Sequence, residues 1–240
     1  MMKRAVEALE RQDWAAVVIE FLMVVAGVLL AFQISEWASG RNDRRVRAES
    51  VERLLHESEQ DVASLRELIT EQKSSILANM NVTVANLRDP APSPEVAEAM
   101  RAGIGASAVL PKPIAPDSVY RELIASGRFG EIGDVKMRDA VSNYASMMSY
   151  LDQAIDYARQ GTSRPWETDS IHFAYDAKAP RKRRVEVDFR KLSADRPAQD
   201  QFFGRLGSQQ FVVSNYDEAL KAAEAMCREV ARVADKPCRP

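Results

Sequence analysis

The sequence predicts a mainly α-helical protein with one N-terminal transmembrane helix that continues into a long stalk helix, followed by an antiparallel helical bundle. Residues 14–37 are almost wholly apolar, and residues 44–87 contain neither glycine nor proline. Two later segments carry apolar residues at alternating steps of three and four, the spacing of one helix face. The predicted divisions are a short tail (1–13), the transmembrane helix (14–37), the stalk or first bundle helix (38–88) and the remaining bundle (89–240).

The composition limits the function classes. The chain has 240 residues, of which 46% are hydrophobic and 28% charged, with a net charge of −2. These values are ordinary for a folded protein, so they argue against wholesale disorder and against nucleic acid as a partner. A mean hydropathy of −0.31 argues against a polytopic membrane protein. Any membrane character must therefore lie in one segment.

That segment is the apolar run "WAAVVIEFLMVVAGVLLAFQI", residues 14–34, in which Glu20 is the single ionisable residue. At about 1.5 Å per residue it would span roughly 31 Å, which matches a hydrocarbon core of about 30 Å. Trp14 and Trp37 are spaced to lie at the two membrane interfaces, where tryptophan is enriched. The pattern predicts a helix surrounded by membrane lipid.

Two other interpretations of this run fit its residues less well. A buried helix of a soluble protein is rarely apolar on every side over such a length. A cleaved signal peptide would use Ala38-Ser39-Gly40 as its small-residue site, but its apolar region is usually only about 7–15 residues long. The run is longer, contains Glu20 and ends in polar residues. We therefore expect an uncleaved anchor.

Four residues of the span fall on one helix face: Glu20, Val24, Gly27 and Ala31. A carboxylate within a span usually faces protein or water, so two interpretations stay open for Glu20. It lies at headgroup level, or it joins this span to another. Gly27-x-x-x-Ala31 is a small-xxx-small pair that allows close helix approach. The second interpretation predicts a homo-oligomer or a larger membrane complex.

The segment "IEFLMVVAGVLLAFQISEW" resembles the opening of an uncharacterised family of bacterial single-span membrane proteins. The residues that carry the resemblance are Glu20, Gly27, Ala31, Gln33 and Trp37. A second segment, "VYRELIASGRFGEIGDVKMRDAVSNYASMMSYL", is similar to the family's helix, Ser-Gly turn and long helix. The resemblance implies location and architecture and no activity.

The positive charges on the two sides of the span are nearly equal, so they do not decide the orientation in the membrane. Basic residues flank the span on both sides: Lys3, Arg4 and Arg11 before it, and Arg41, Arg44, Arg45 and Arg47 after it. The resemblance and the usual behaviour of short N-terminal anchors favour a bacterial inner-membrane protein with a cytoplasmic N-terminus and a periplasmic domain. Cys227 and Cys238 are either bridged, through a fold-back at Pro237, or a core cysteine and a free tail thiol.

Start and stop signals divide the rest of the chain. "RDPAPSPE" ends the stalk, and Ser93 followed by Pro94 starts a short helix that we expect to end at about Ala102. "GIGASAVLPKPIAP" is predicted to be a loop. Asp117 is positioned to cap the next helix, "SVYRELIAS", and Gly127 is positioned to end it.

The two strongest helical patterns come last. The helix predicted from about Asp134 to Arg159 carries the stripe Met137, Val141, Tyr144, Met148, Leu151, Ile155 and Ala158. The final helix carries Val213, Tyr216, Leu220, Ala223, Cys227 and Val230. Such stripes suit antiparallel packing in a bundle, and a Met and Tyr stripe is more often core than cofactor pocket.

A small β-hairpin is predicted near residues 171–189, where two segments alternate like strands. It encloses a compact basic run: Arg181, Lys182, Arg183 and Arg184. The run is either a solvated loop or a docking patch for acidic lipid headgroups or an acidic protein surface.

No catalytic, cofactor-binding or metal site is predicted. His56 and His172 have no second ligand at metal spacing, and no CxxC, HExxH, phosphate loop or G-x-S-x-G motif occurs. Three function classes remain: an interaction or accessory subunit of an envelope complex, a sensor-like helical domain that binds a small ligand and signals through a partner, and an enzyme with an unrecognised site. We expect the first.

Overall fold

The structure is a computed structural model that describes residues 14–114, 117–175 and 183–240. This part of the chain is mainly helical, which confirms the predicted fold class. The elements in chain order are α1 (Trp14–Glu71), a π-helical segment (Gln72–Leu77), α2 (Ala78–Asn86), α3 (Pro94–Ala106), α4 (Ser118–Ala125), a 3-10 helix (Arg128–Glu131), α5 (Val135–Thr162), β1 (Ile171–Tyr175), β2 (Arg183–Val187), α6 (Phe189–Ala194) and α7 (Arg196–Ala234). The chain divides into two compact units, one ending at Glu49 and one beginning at Ser50.

The first unit contains the apolar part of α1. The large apolar side chains from Val18 to Trp37 are 37% to 67% exposed. Among the described residues, one helix near the N-terminus is long and apolar enough to cross a membrane, and none of its most apolar stretch is buried within the protein. Exposed apolar surface of this extent requires another apolar environment.

The second unit, Ser50–Pro240, is an antiparallel helical bundle. Arg232 near the end of α7 binds Asp134 at the start of α5, and Gly161 near the end of α5 lies close to Ser208 in the first half of α7. These two contacts at opposite ends fix α5 and α7 as antiparallel neighbours. The part of α1 within this unit and the π-helical segment after it are also antiparallel to α7, because Arg66 of α1 pairs with Glu224 and Lys73 of the π-helical segment pairs with Asp217, which lies earlier in α7.

The predicted stripes form the larger of two apolar cores. On α5, Met137, Val141, Leu151 and Ile155 are buried, and on α7 the buried residues include Tyr216. They pack with the apolar face of α1 that includes Val62 and Leu65. Each of these helices carries its apolar residues on one face and buries that face along its length, which accounts for the formation of the bundle.

A second core lies under the hairpin. Met80 and Met100, from α2 and α3, pack with Ile171, Val185 and Phe202. The strands are antiparallel, with Ile171 opposite Val187 and Tyr175 opposite Arg183, so the predicted hairpin is present. The short helix α6 that follows was not predicted.

Two local expectations differ from the structure. α3 ends at Ala106 instead of about Ala102, because Ile104 is buried in the second core and a glycine at 103 allows close packing against α2. Asp117 occupies the cap position of α4, but its side chain makes no capping bond. The Glu57 carboxylate of α1 accepts hydrogen bonds from the Val119 backbone N–H and the Ser118 hydroxyl instead.

Candidate functional sites

The helix face that is predicted to mediate association in the membrane lies on an exposed part of α1. Glu20, Val24, Gly27 and Ala31 are all exposed, and a Cβ atom added at Gly27 would meet nothing within 4 Å. The face is therefore unoccupied within the described part of the chain, as a helix-association surface requires. Of the interface tryptophans, Trp14 begins α1, and Trp37 is exposed with the Arg41 guanidinium 5.6 Å from its ring centroid.

The predicted basic patch is only partly described. Arg181 and Lys182 lie outside the described residues, and Arg183 begins β2. Arg184 is exposed and forms an ion pair with Glu186, which also lies 3.2 Å from His172 Nε2. The described half of the patch is thus a strand with a compensating carboxylate, and its docking role stays a prediction.

Of the two alternatives for the cysteines, the structure contains the disulfide bridge. Cys227 and Cys238 are joined by a disulfide, with 5.8 Å between their Cα atoms. α7 ends four residues before Cys238, at Ala234, which allows the tail to turn back. Lys236 forms an ion pair with Glu52, and the Arg239 backbone N–H donates to Glu59, so the tail is held against α1.

A cleft that the sequence motifs did not indicate surrounds Arg205. It has a volume of about 1210 Å³ and is bordered by α3, the hairpin, the segment after α5 and the start of α7. We refer to it as the Arg205 cleft. Among the described residues, the charged ones that line it are Glu98, Arg101, Arg164, Arg184 and Arg205. Glu98 pairs with Arg101 and Glu186 pairs with Arg184, so Arg164 and Arg205 are the described arginines of this lining without a carboxylate partner.

Arg205 itself is buried, with 5% of the residue exposed. Its guanidinium donates to the Arg164 carbonyl and the Ser107 hydroxyl, and its Cζ lies 4.2 Å from the Trp166 ring centroid. Its Nε and the indole Nε1 of Trp166 are buried without a hydrogen-bond acceptor among the described residues. Burial lowers the pKa of the guanidinium, and a charged group without a carboxylate partner is unusual inside a protein.

A second, smaller cavity lies within the bundle. It has a volume of about 400 Å³ and is lined by apolar side chains together with Tyr120, Tyr144 and the charged residues Glu57, Asp61, Asp117, Arg121 and Asp152. We refer to it as the Asp61 cavity. Its walls come from α1, α4, α5 and α7 and from the segment before α4, and it is partly open to solvent.

Asp61 is a buried acid in this cavity. Only 2% of the residue is exposed, and Tyr144, on α5, is 7% exposed. Asp61 Oδ1 and the Tyr144 hydroxyl have no hydrogen-bond partner in the described part of the chain. Burial raises the pKa of Asp61 to about 7; the neighbouring Tyr144 hydroxyl, which is close enough to interact with the carboxylate, opposes this rise, and the nearby Glu57 and Asp117 carboxylates add to it. Burial also raises the pKa of Tyr144, so its hydroxyl keeps its proton.

Both sites contain a sequence feature that a search for known motifs does not detect. Asp61 occupies the apolar stripe of the stalk, between Leu54 and Leu65, and Arg205 lies between the buried Phe202 and Leu206. A charged residue within an apolar stripe indicates either a pairing partner or a site. The sequence does not show which, because the partner comes from a distant segment.

The described residues contain no group of three or more His, Cys, Asp or Glu side chains that could hold a metal ion. Comparisons with family models, curated proteins and solved structures yield no match.

Proposed function

We propose that this chain is a non-enzymatic, single-pass membrane protein that acts as an interaction or accessory subunit of a bacterial envelope complex. The observation that carries the proposal is the exposed apolar surface of α1. The large apolar side chains from Val18 to Trp37 are exposed, whereas the bundle that begins at Ser50 buries its own apolar stripes. An exposed apolar helix in a chain whose bundle buries its own apolar stripes suits a membrane anchor.

The proposal places the protein in the bacterial inner membrane, with its N-terminus in the cytoplasm and the bundle in the periplasm. The Cys227–Cys238 disulfide supports this orientation, since disulfides persist mainly in oxidising compartments. The resemblance of the span to the bacterial single-span family supports the same location.

The proposed partner contact in the membrane is the face Glu20, Val24, Gly27 and Ala31, which would bind a second copy of the chain or another subunit. Gly27 offers room for a close helix approach. A hydrogen-bonded or protonated Glu20 would add a polar contact that lipid cannot provide.

Cross-linking of the full chain in native membranes tests this contact. Glu20→Leu and Gly27→Ile are expected to abolish the cross-linked species and any co-purifying subunit after gentle solubilisation. Leu29→Ile is the matched control, because it places isoleucine on the opposite face of the same helix. Unchanged cross-linking in both variants would count against helix association through this face.

A second candidate function is a sensor-like domain that binds a small ligand within the bundle. The Asp61 cavity favours it, because two buried polar groups there lack partners among the described residues. Polar groups that converge on a mostly apolar cavity are a common feature of ligand sites. Thermal stabilisation of the full chain by a compound from a metabolite panel would support this role if Tyr144→Phe weakened it. A panel that stabilises both proteins equally, or neither, would argue against it.

A further inference from the structure

We propose that the Arg205 cleft binds an anionic group, a carboxylate or a phosphate, with the Arg205 guanidinium as its principal contact. The residues that line the cleft are not shared with the Asp61 cavity and include none from the apolar part of α1. The proposal therefore does not depend on either proposed function.

The first argument is charge. The partners described for the buried guanidinium are a carbonyl, a hydroxyl and an aromatic ring, all of them neutral. A buried charge is normally paired, since its desolvation costs several kcal/mol that a counter-charge offsets. An anion in the cleft would provide this counter-charge.

The second argument is the unused donors. Arg205 Nε and Trp166 Nε1 both carry a proton and are buried without an acceptor among the described residues. Both residues line the cleft. Buried donors are satisfied in the great majority of native structures. Carboxylate and phosphate oxygens are the acceptors that a guanidinium binds most strongly.

The third argument is the surrounding charge and space. Arg101, Arg164 and Arg184 line the same cleft; Glu98 pairs with Arg101 and Glu186 pairs with Arg184, and among the described residues no carboxylate pairs with Arg164 or Arg205. An excess of positive charge in a concave surface attracts anions from solution. The volume of about 1210 Å³ also exceeds what one small anion needs, so the ligand has room for an organic body beside Ile171 and Phe173.

Such an anionic group has two sources, a free metabolite or a lipid headgroup. The chain allows a direct optical test, because its three tryptophans are Trp14, Trp37 and Trp166. In the full chain with Trp14→Phe and Trp37→Phe, all indole fluorescence comes from Trp166. This reporter ring lies 4.2 Å from the Arg205 guanidinium.

The protein is placed in phosphatidylcholine nanodiscs and titrated with inorganic phosphate, and separately with acetate, at constant ionic strength set by sodium chloride. A second arm replaces part of the phosphatidylcholine with phosphatidylglycerol. We expect a saturable change in Trp166 emission together with a higher unfolding temperature. A response to phosphate or acetate identifies a free anion, and a response confined to phosphatidylglycerol identifies a headgroup.

Arg205→Met should bind at least about tenfold more weakly, because a charge-assisted hydrogen-bonded contact is lost. Arg205→Lys keeps the charge but loses the planar fork, so it should show an intermediate affinity and remains informative if the methionine variant does not fold. Arg228→Met, at an exposed position on the same helix, is the matched control and should bind normally. No saturable change in either arm, or an unchanged response in Arg205→Met and Arg205→Lys, would overturn the proposal.

Discussion

Asp61 is a carboxylate held in the apolar face of α1, next to the buried Val62. Its pKa is raised by burial from 3.8 to about 7 in the folded protein. Between these values the unfolded chain releases a proton that the folded chain keeps. The stability that Asp61 contributes is thus complete below about pH 4 and is lost as the pH rises through about 7.

We therefore expect Asp61→Asn to change the pH dependence of folding. The gap between the two pKa values corresponds to at most about 4 kcal/mol of unfolding free energy. The variant, which does not titrate here, should gain stability relative to the wild type as the pH rises from 4 to 8. Urea unfolding in detergent across this range measures it, and parallel curves for the two proteins would show that Asp61 ionises normally.

Gly103 marks a close approach of two helices. A Cβ atom there would lie 2.6 Å from Thr83 Oγ1 and 2.7 Å from the Asn79 carbonyl oxygen, both on α2. Because one of these atoms is backbone, α2 and α3 would have to separate. This contact also explains why a glycine occupies a helical position in a segment that was predicted to be a loop.

Gly103→Ala should destabilise the protein by about 1–3 kcal/mol, the usual effect of overpacking. Gly207→Ala is the matched control, since a Cβ at Gly207 on α7 meets nothing within 4 Å. Removing a helical glycine there should stabilise the protein by roughly 0.5–1 kcal/mol. Thermal unfolding of both variants measures the contrast, and equal midpoints would contradict the packing argument.

At the scale of elements, α4 depends on a residue 62 positions away. Glu57 on α1 accepts hydrogen bonds from the Val119 N–H at 3.1 Å and 3.2 Å, through its two carboxylate oxygens. A carboxylate at the first turn of a helix satisfies free N–H groups and interacts favourably with the helix dipole. The cap of α4 is therefore a tertiary contact, while Asp117 pairs with Arg121 instead.

Glu57→Ala should consequently loosen α4 more than its neighbours. Loss of a helix cap typically costs about 1 kcal/mol. Hydrogen exchange at Val119 and along α4 should accelerate, while exchange in α5 stays unchanged. Asp117→Ala is the comparison, and a larger effect from Asp117 than from Glu57 would mean that the local residue provides the cap.

The same distinction explains which elements could be predicted. The stripes on α5 and α7, the stop at Gly127 and the alternation in the hairpin depend on neighbouring residues, so a local pattern is sufficient to predict them. The Glu57 cap, the extension of α3 past Ala102 and the partners of Arg205 depend on residues far apart in sequence. No local pattern encodes such pairs, and for that reason the cleft and the Asp61 cavity could not be predicted.

On the scale of the whole molecule, the balance of basic residues around the span bears on its orientation. Three basic side chains precede the span, and four follow it before Ser50. Positive charge near a span is retained on the cytoplasmic side, so these two groups oppose each other. The two groups nearly balance.

The proposed orientation is therefore expected to respond to a small change in charge. With an alkaline phosphatase reporter at the C-terminus, which is active only in the periplasm, the wild type should be active and its disulfide resistant to thiol labelling. Lys3→Gln with Arg4→Gln should lower both reporter activity and disulfide content, because the second basic group then dominates. Arg44→Gln with Arg45→Gln is the control and should leave both unchanged or higher. A wild-type reporter that is inactive, with both cysteines open to labelling, would place the bundle in the cytoplasm and refute the proposed orientation.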